Sequence, residues 1–205
     1  MVDPYLSTRA VIVITSGLFL TSGVAALLYQ VAWQRTLFGW FGVDLDSVSV
    51  IVAIFMLGLG GGALIGGWLA DRFTDHRILV FALIEWTIGA FGFGSLSFMD
   101  WIGVLFSGAS LHGLIALTFL VFAIPTFAMG ATLPVLVTEM VQRTESVGRA
   151  TGWLYFINTL GAALGAFASG FLLLPRMGLD GLVTLAAALN TLTGFVAFLA
   201  LRRTK

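Results

Sequence analysis

Six long apolar stretches follow one another along the chain, and only short connections separate them. A helix that crosses the hydrocarbon core of a bilayer needs about 20 consecutive apolar residues. The stretches cover residues 10–34, 48–70, 78–99, 111–141, 150–175 and 182–201. Because lipid offers no hydrogen-bond partners to the backbone, each stretch is predicted to be helical. The sequence therefore predicts an all-α membrane protein, with six transmembrane helices in one domain over residues 1–205.

Composition supports this class and disfavours others. Charged residues make up 10% of the chain, whereas a soluble domain usually carries about 25%. The net charge is zero without a basic block, so a nucleic-acid partner is not expected. There is no Cys, and the two histidines, His76 and His112, form no zinc or protease motif. We therefore predict no enzymatic activity, no metal and no cofactor.

The distribution of Lys and Arg predicts the orientation. If the N-terminus is cytoplasmic, the opposite side holds only Arg35 and Arg176. Such a positive-inside bias places both termini in the cytoplasm and suits the inner (cytoplasmic) membrane. Trp33 and Trp101 are predicted near the outer interface, which amphipathic rings prefer. The basic residues assigned to the cytoplasmic side are Arg9, Arg72, Arg77, Arg143, Arg149, Arg202, Arg203 and Lys205.

The two halves of the chain resemble each other at an offset near 105 residues. The glycine-rich stretch that starts at Gly58 aligns with the one that starts at Gly161, and Glu85 aligns with Asn190. The repeat units cover about residues 10–100 and 111–201. A unit of three spans that is repeated once must be inverted in the membrane, as in many transporter folds. The alternative is that helices rich in Gly and Ala look alike by composition alone.

Small residues recur every fourth position in the second and fifth spans. Residues four apart share one helix face, so each span is predicted to carry a groove for close helix packing. Association of such a groove with another protein is the alternative role. The positions are Gly58, Gly62, Gly66, Gly161, Gly165 and Ser169.

Several motifs together resemble a known family. They are SGVAALLYQVAW over residues 22–33, Ala-Asp-Arg over 70–72, PTFAMGATLP over 125–134, Asn-Thr-Leu-Gly-Ala over 158–162 and GFLLLP over 170–175. The chain resembles the membrane domain of fused spermidine-synthase-like proteins, which is similar to half of a major facilitator. That family often carries a soluble aminopropyltransferase domain, for which this sequence has no nucleotide-binding motif, so polyamine synthesis is not expected. Gln30 stands where the resemblance implies an acidic residue, which disfavours a cation-binding role there.

The loop after the second span also resembles a motif of major facilitators. Asp71, Arg72 and Arg77 lie between the second and third spans. The resemblance implies that such charges clasp neighbouring helix ends and help gate transport. A short charged turn that only fixes topology is the alternative, since the family's loop glycine is missing.

Ionisable groups inside a membrane are costly and often functional. Glu85 is the one acidic residue well within a predicted span. It could bind a cation or proton, hydrogen-bond another helix, or pair with a partner subunit. The other candidates for an intramembrane polar site are Asn158, Asn190, Tyr29 and Gln30.

Two functions fit these features. The first is a transporter-like six-helix module that handles a small organic cation, a substrate class implied by the resemblance alone. Because carriers of this type usually have twelve helices, it would work as a homodimer or paired with another membrane subunit. The second is an accessory or scaffold subunit of a larger membrane complex. In both cases the lipid bilayer is the predicted surrounding.

Overall fold

The regular structure of the chain is helical throughout its described part. The computed structural model describes residues 8–41, 45–106, 108 and 110–201, and no strand occurs among them. The basic residues Arg202, Arg203 and Lys205, which entered the orientation prediction, lie outside this part. The elements are α1 (Thr8–Phe41), α2 (Leu45–Arg72), α3 (Arg77–Leu105), α4 (Leu111–Thr144), α5 (Val147–Ala168), a π-helical turn (Ser169–Leu173) and α6 (Leu174–Leu201).

Five helical segments in the described part are long and apolar enough to cross a membrane. The prediction of six separate spans is thus not confirmed by this count. The difference arises in the last segment, Val147–Leu201, whose 55 residues contain both the fifth and the sixth predicted stretch. Within it, Gly178 has φ 67° and ψ −170°, a conformation that favours glycine and interrupts α6 near its start.

Small residues bring α2 against α4. A methyl group added to Gly58 would overlap the side chain of Thr126, and one added to Gly66 would overlap the backbone of Ala131. The absence of a side chain at these positions therefore lets the two backbones pack closely. The later residue on α2 contacts the later residue on α4, so α2 and α4 run in the same direction.

The contact between α1 and α5 is built in the same way. Gly161 lies against the backbone of Leu20, and Gly165 lies against that of Val24. Ser169, the last of the predicted small residues, is buried and its hydroxyl donates to the carbonyl oxygen of Gly165. The two helices run in the same direction, as α2 and α4 do.

Helix α6 packs against α3 in the opposite direction. Gly89 on α3 lies close to Ala187 and Thr191, whereas Trp86, which precedes Gly89, lies close to the later residue Gly194. The earlier residue on α3 contacts the later residue on α6, so α3 and α6 are antiparallel. Helix α6 also packs against α1, so it contacts both α1 and α3.

Trp33 lies at the centre of the aromatic core between α1, α3 and α4. Its ring is fully buried and stacks on Tyr29 with centroids 4.8 Å apart. The centroid of Phe122 lies 4.9 Å away on another side. The ring points into the bundle and away from lipid, and its predicted depth near the outer interface stays a prediction. Trp101, in contrast, is exposed.

Candidate functional site

The carboxyl group of Glu85 joins three helices inside the bundle. Glu85 has no exposed surface. The hydroxyl of Ser22 on α1 donates to its Oε1 at 2.7 Å, and Nδ2 of Asn190 on α6 donates to its Oε2 at 2.6 Å. With a rise of 1.5 Å per residue, Glu85 lies roughly 12 Å along α3 from Arg77 at its start. The site is therefore deep within the helical part of the chain.

Local packing explains why Asn190 can reach Glu85. One helical turn beyond Glu85, Gly89 has no side chain, and α6 comes so close that an added methyl group would lie 2.6 Å from the Thr191 hydroxyl oxygen. Ala186 and Ala187 on α6 are also small and fully buried. This run of small residues lowers the separation of the two helices, so the short Asn190 side chain spans the gap.

The charge of an ionised Glu85 would be stabilised by neutral groups. In the described part of the chain, the groups that bond its carboxylate are a hydroxyl and an amide, and no basic side chain forms an ion pair with it. A carboxylate in the membrane interior costs at least about 2.5 kcal/mol on insertion scales. A protein keeps such a group only where other interactions offset this cost, so Glu85 is the strongest candidate for function.

Several buried polar atoms near this site have no hydrogen-bond partner within the described residues. They are Oδ1 of Asn190, the hydroxyls of Tyr29 and Thr193, and Nε1 of Trp86, which follows Glu85 on α3. Buried polar atoms are usually paired, so each such atom needs a physical reason. An oxygen that lacks a donor can accept one from a ligand or from a group that becomes protonated.

A strip of polar groups continues from Glu85 along the contact between α1 and α3. The Tyr29 hydroxyl lies against Gly92, two turns beyond Glu85 on α3. Further on, Nε1 of Trp33 donates to the Ser95 hydroxyl at 2.9 Å, and that hydroxyl donates to the carbonyl oxygen of Gly92 at 3.0 Å. Polar atoms are thus spaced along more than two turns of α3, from mid-helix towards its C-terminal end.

The five predicted polar residues do not form one site. Glu85 and Asn190 are bonded, and Tyr29 lies further along the same helix contact. Asn158 lies elsewhere, on α5 against Gly23 of α1. Gln30 is half-buried.

The polar residues predicted for the site do not include Ser22, Ser95 or Thr193. Ser22 could have been found, because it precedes Tyr29 by seven residues and so lies on the same helix face. Ser95 and Thr193 carry no comparable signal, since isolated hydroxyl residues are common in apolar helices.

The charged loop is split between exposed and buried side chains. Asp71 and Arg72 are exposed at the end of α2. Arg77 is buried, and its Nε donates to the carbonyl oxygen of Ala70 at 2.9 Å, while its Nη1 has no partner among the described residues. Arg77 therefore connects the start of α3 with the end of α2, a geometry compatible with both the gating and the topological role.

Comparison with known proteins gives distant relatives of two kinds. A gallate transporter of Pseudomonas putida is 29% identical over 192 residues, which cover 91% of this chain and 38% of that protein. The 4-hydroxybenzoate transporter PcaK of Pseudomonas aeruginosa is 27% identical over 158 residues, or 74% of this chain and 31% of that protein. A polyamine aminopropyltransferase of Mycobacterium tuberculosis is 28% identical over 183 residues, or 79% of this chain and 32% of that protein.

The chain is similar to transporters and to aminopropyltransferases alike. It spans between 31% and 38% of the length of these relatives. No protein-family profile matches the chain. No solved structure matches it either. The similarities to transporters and the five apolar segments indicate a transporter-like protein that crosses the membrane several times.

Proposed function

We propose that the chain is a six-helix, transporter-like module made of two inverted triplets, and that Glu85 lies on its transport pathway. The observation that carries this proposal is the fully buried carboxyl group held between α1 and α6. We further propose that the module has no enzymatic activity. It would lie in the inner membrane with both termini in the cytoplasm.

The directions of the helix contacts support six crossings. Helices α1 and α5 run the same way, as do α2 and α4, and α6 runs opposite to α3. The contacts of Ser22 with Glu85 and of Trp33 with Ser95 make α1 and α3 parallel. All these relations hold if consecutive helices alternate in direction across the membrane. The turn at Gly178 then separates a fifth from a sixth crossing.

The same contacts support an inverted repeat. Under the repeat, α1 corresponds to α4 and α5 corresponds to α2, so the α1–α5 contact is the counterpart of the α4–α2 contact. Both are close contacts between glycines on one helix and the backbone or a small side chain on the other. Glu85 and Asn190 are counterparts under the repeat, 105 residues apart. They form a direct hydrogen bond where α3 and α6 meet. Inverted triplets of this kind place binding sites at the repeat interface near the bilayer midplane.

The charge of the site favours a cationic solute. A carboxyl group without a basic partner attracts cations and repels carboxylates. This supports the small organic cation implied by the family resemblance. The relatives named as transporters are described for gallate and 4-hydroxybenzoate, which are aromatic acids, so the assay must include both classes of solute.

Uptake into vesicles tests the proposal. The full chain is reconstituted in proteoliposomes, and the entry of labelled spermidine and of labelled 4-hydroxybenzoate is measured. We expect spermidine uptake to fall about tenfold or more in Glu85→Gln, because the loss of a charged hydrogen-bond partner costs about 1.5–3 kcal/mol. Asp180→Asn, which removes an exposed carboxylate, is the matched control and should transport normally.

Three results would contradict parts of this proposal. Equal uptake by Glu85→Gln and the unmodified chain would remove Glu85 from the pathway. Uptake of 4-hydroxybenzoate alone would replace the cation by an aromatic acid. Absence of any uptake, together with purification in mild detergent as part of an unrelated membrane complex, would favour the accessory or scaffold subunit. Purification as a homodimer would support the paired carrier.

A further inference from the structure

Both hydrogen-bond partners of Glu85 can reverse their roles. A serine hydroxyl donates or accepts after rotation about its C–O bond, and an asparagine side chain offers both a donor and an acceptor. Ser22 and Asn190 are the groups that bond the two carboxylate oxygens. An arginine or lysine at either place could only donate. The surroundings of Glu85 can therefore satisfy the carboxyl group with or without a proton.

The present arrangement leaves one acceptor unused. While Nδ2 of Asn190 donates to Glu85, Oδ1 of the same amide is buried without a partner in the described part of the chain. A protonated Glu85 would supply the missing donor once the amide turned its oxygen towards Oε2. The orphaned oxygen thus marks a second hydrogen-bonding state that the same three residues can form.

The enclosure of the site restricts the size of its ligand. Glu85 has no exposed surface, Asn190 is 2% exposed, and both carboxylate oxygens are within 2.7 Å of their donors. A solute of several atoms cannot reach the carboxyl group while the helices are packed in this way. A proton needs no additional space.

Few charged or titratable groups surround the site. Helices α1, α2, α4 and α6 pack against α3. On α1 the Tyr29 hydroxyl faces the same helix contact, and α6 contributes the uncharged Asn190. The other buried ionisable side chains in the described residues are Arg77, at the start of α3, and Glu139 on α4; the Nε of Arg77 is bound at Ala70.

We propose that Glu85 is a proton-binding site, with Ser22 and Asn190 as positioning residues that hold either protonation state. Hydronium transfers one proton to Oε2. One O–H bond of hydronium breaks, one O–H bond forms on Glu85, and hydronium becomes water. The Asn190 amide then accepts from this group through Oδ1. This inference rests on the proposed function, since it names the proton as the ion that the carrier-like site exchanges.

Infrared difference spectroscopy of the full chain in lipid vesicles tests this assignment. We expect the carbonyl band of a protonated carboxylic acid to appear as the medium is changed from alkaline to acidic. The band should be lost completely in Glu85→Gln and retained in Asp180→Asn. In Ser22→Ala, a mild change that tests the site without a large loss of packing, the band should remain and shift in frequency, because one hydrogen bond to the carboxyl group is gone.

The outcomes separate this inference from the proposed function. A carboxylic band that does not depend on Glu85, or a Glu85 band that stays constant over the whole titration, would overturn proton exchange. If spermidine uptake still required Glu85 in the same vesicles, the proposed transport function would stand without proton exchange at Glu85. A Glu85 band that titrates in vesicles without any solute uptake would keep the proton site and contradict the transport pathway.

Discussion

Replacing Gly62 with alanine is expected to destabilise the bundle by about 2 kcal/mol or more, whereas the same change at Gly60 should be neutral or slightly stabilising, because alanine is the better helix former. A methyl group at Gly62 would overlap the carbonyl group of Phe127 and crowd Gly130, which are backbone atoms that cannot move aside without separating α2 from α4. Insertion of one extra carbon into a well-packed contact typically costs about 1–3 kcal/mol. Gly60 lies on the exposed side of α2 with open space around its Cα.

The measurement is reversible unfolding in mixed micelles, in which a denaturing detergent is titrated into each variant. The two glycines are two residues apart on one helix, so the two variants add the same methyl group at a similar depth and change helix propensity equally. Equal stability losses in Gly62→Ala and Gly60→Ala would show that the α2–α4 contact is not formed as described. Gly165→Ala should behave like Gly62→Ala, because Gly165 packs against the backbone of Val24.

A second large effect is expected at Asn190. Asn190→Leu removes the donor to Oε2 of Glu85 and leaves a buried carboxylate oxygen without a partner. Hydrogen bonds to charged groups contribute about 1.5–3 kcal/mol, and an unsatisfied buried charge adds to the loss. We therefore expect a destabilisation of about 2–3 kcal/mol in the same unfolding assay.

A double variant identifies the cause of this loss. If Glu85 and Asn190 are both replaced by leucine, the buried carboxylate is gone and only the Ser22 hydroxyl loses its acceptor, so much of the stability should return. Asn158→Leu is the comparison, because this half-buried asparagine lies between α5 and α1, away from Glu85. An Asn190→Leu variant as stable as Asn158→Leu would contradict the described hydrogen bond.

Hydropathy and spacing predicted the helical class and the positions of close packing. The runs of small residues at Gly58, Gly62 and Gly66 were recognisable because the helical period places them on one face, and the structure puts α4 against that face. The depth of Glu85 followed from its place in an apolar stretch. These features depend on residues close together in the sequence, so a single sequence is enough to predict them.

The partners of each helix could not be predicted in the same way. All six stretches are apolar on every side, so their hydrophobicity does not distinguish a lipid-facing side from a buried one. Trp33 shows the consequence: its position near a helix end predicts its depth, whereas the contacts with α3 and α4 that cover its ring are found only in the structure. The spacing of Ser22 and Tyr29 puts them on one face of α1, but the contact of that face with α3 is found only in the structure.

The boundary between the last two spans also depends on tertiary structure. Hydropathy falls between Pro175 and Gly181, where Arg176 and Asp180 interrupt the apolar run. The π-helical turn nevertheless leads directly into α6, and the Arg176 side chain donates to the carbonyl oxygen of Leu172 at 2.6 Å. The two spans are therefore counted as one segment of 55 residues, although Gly178 leaves the helical conformation and kinks it.

Two opposed triplets that cross the membrane six times would place the turn at Gly178 opposite the loops that precede α3 and α5, and single-cysteine labelling measures the side of each loop. The chain has no cysteine of its own. Cysteine is introduced at Asp75 in the α2–α3 loop, at Gly148 near the start of α5 and at Asp180 beside the turn at Gly178, and whole cells are treated with a membrane-impermeant maleimide. We expect labelling of Asp180→Cys from outside, and labelling of Asp75→Cys and Gly148→Cys only after the cells are opened. Labelling of Asp180→Cys from the same side as Gly148→Cys, or from neither side, would contradict six crossings and with them the inverted repeat.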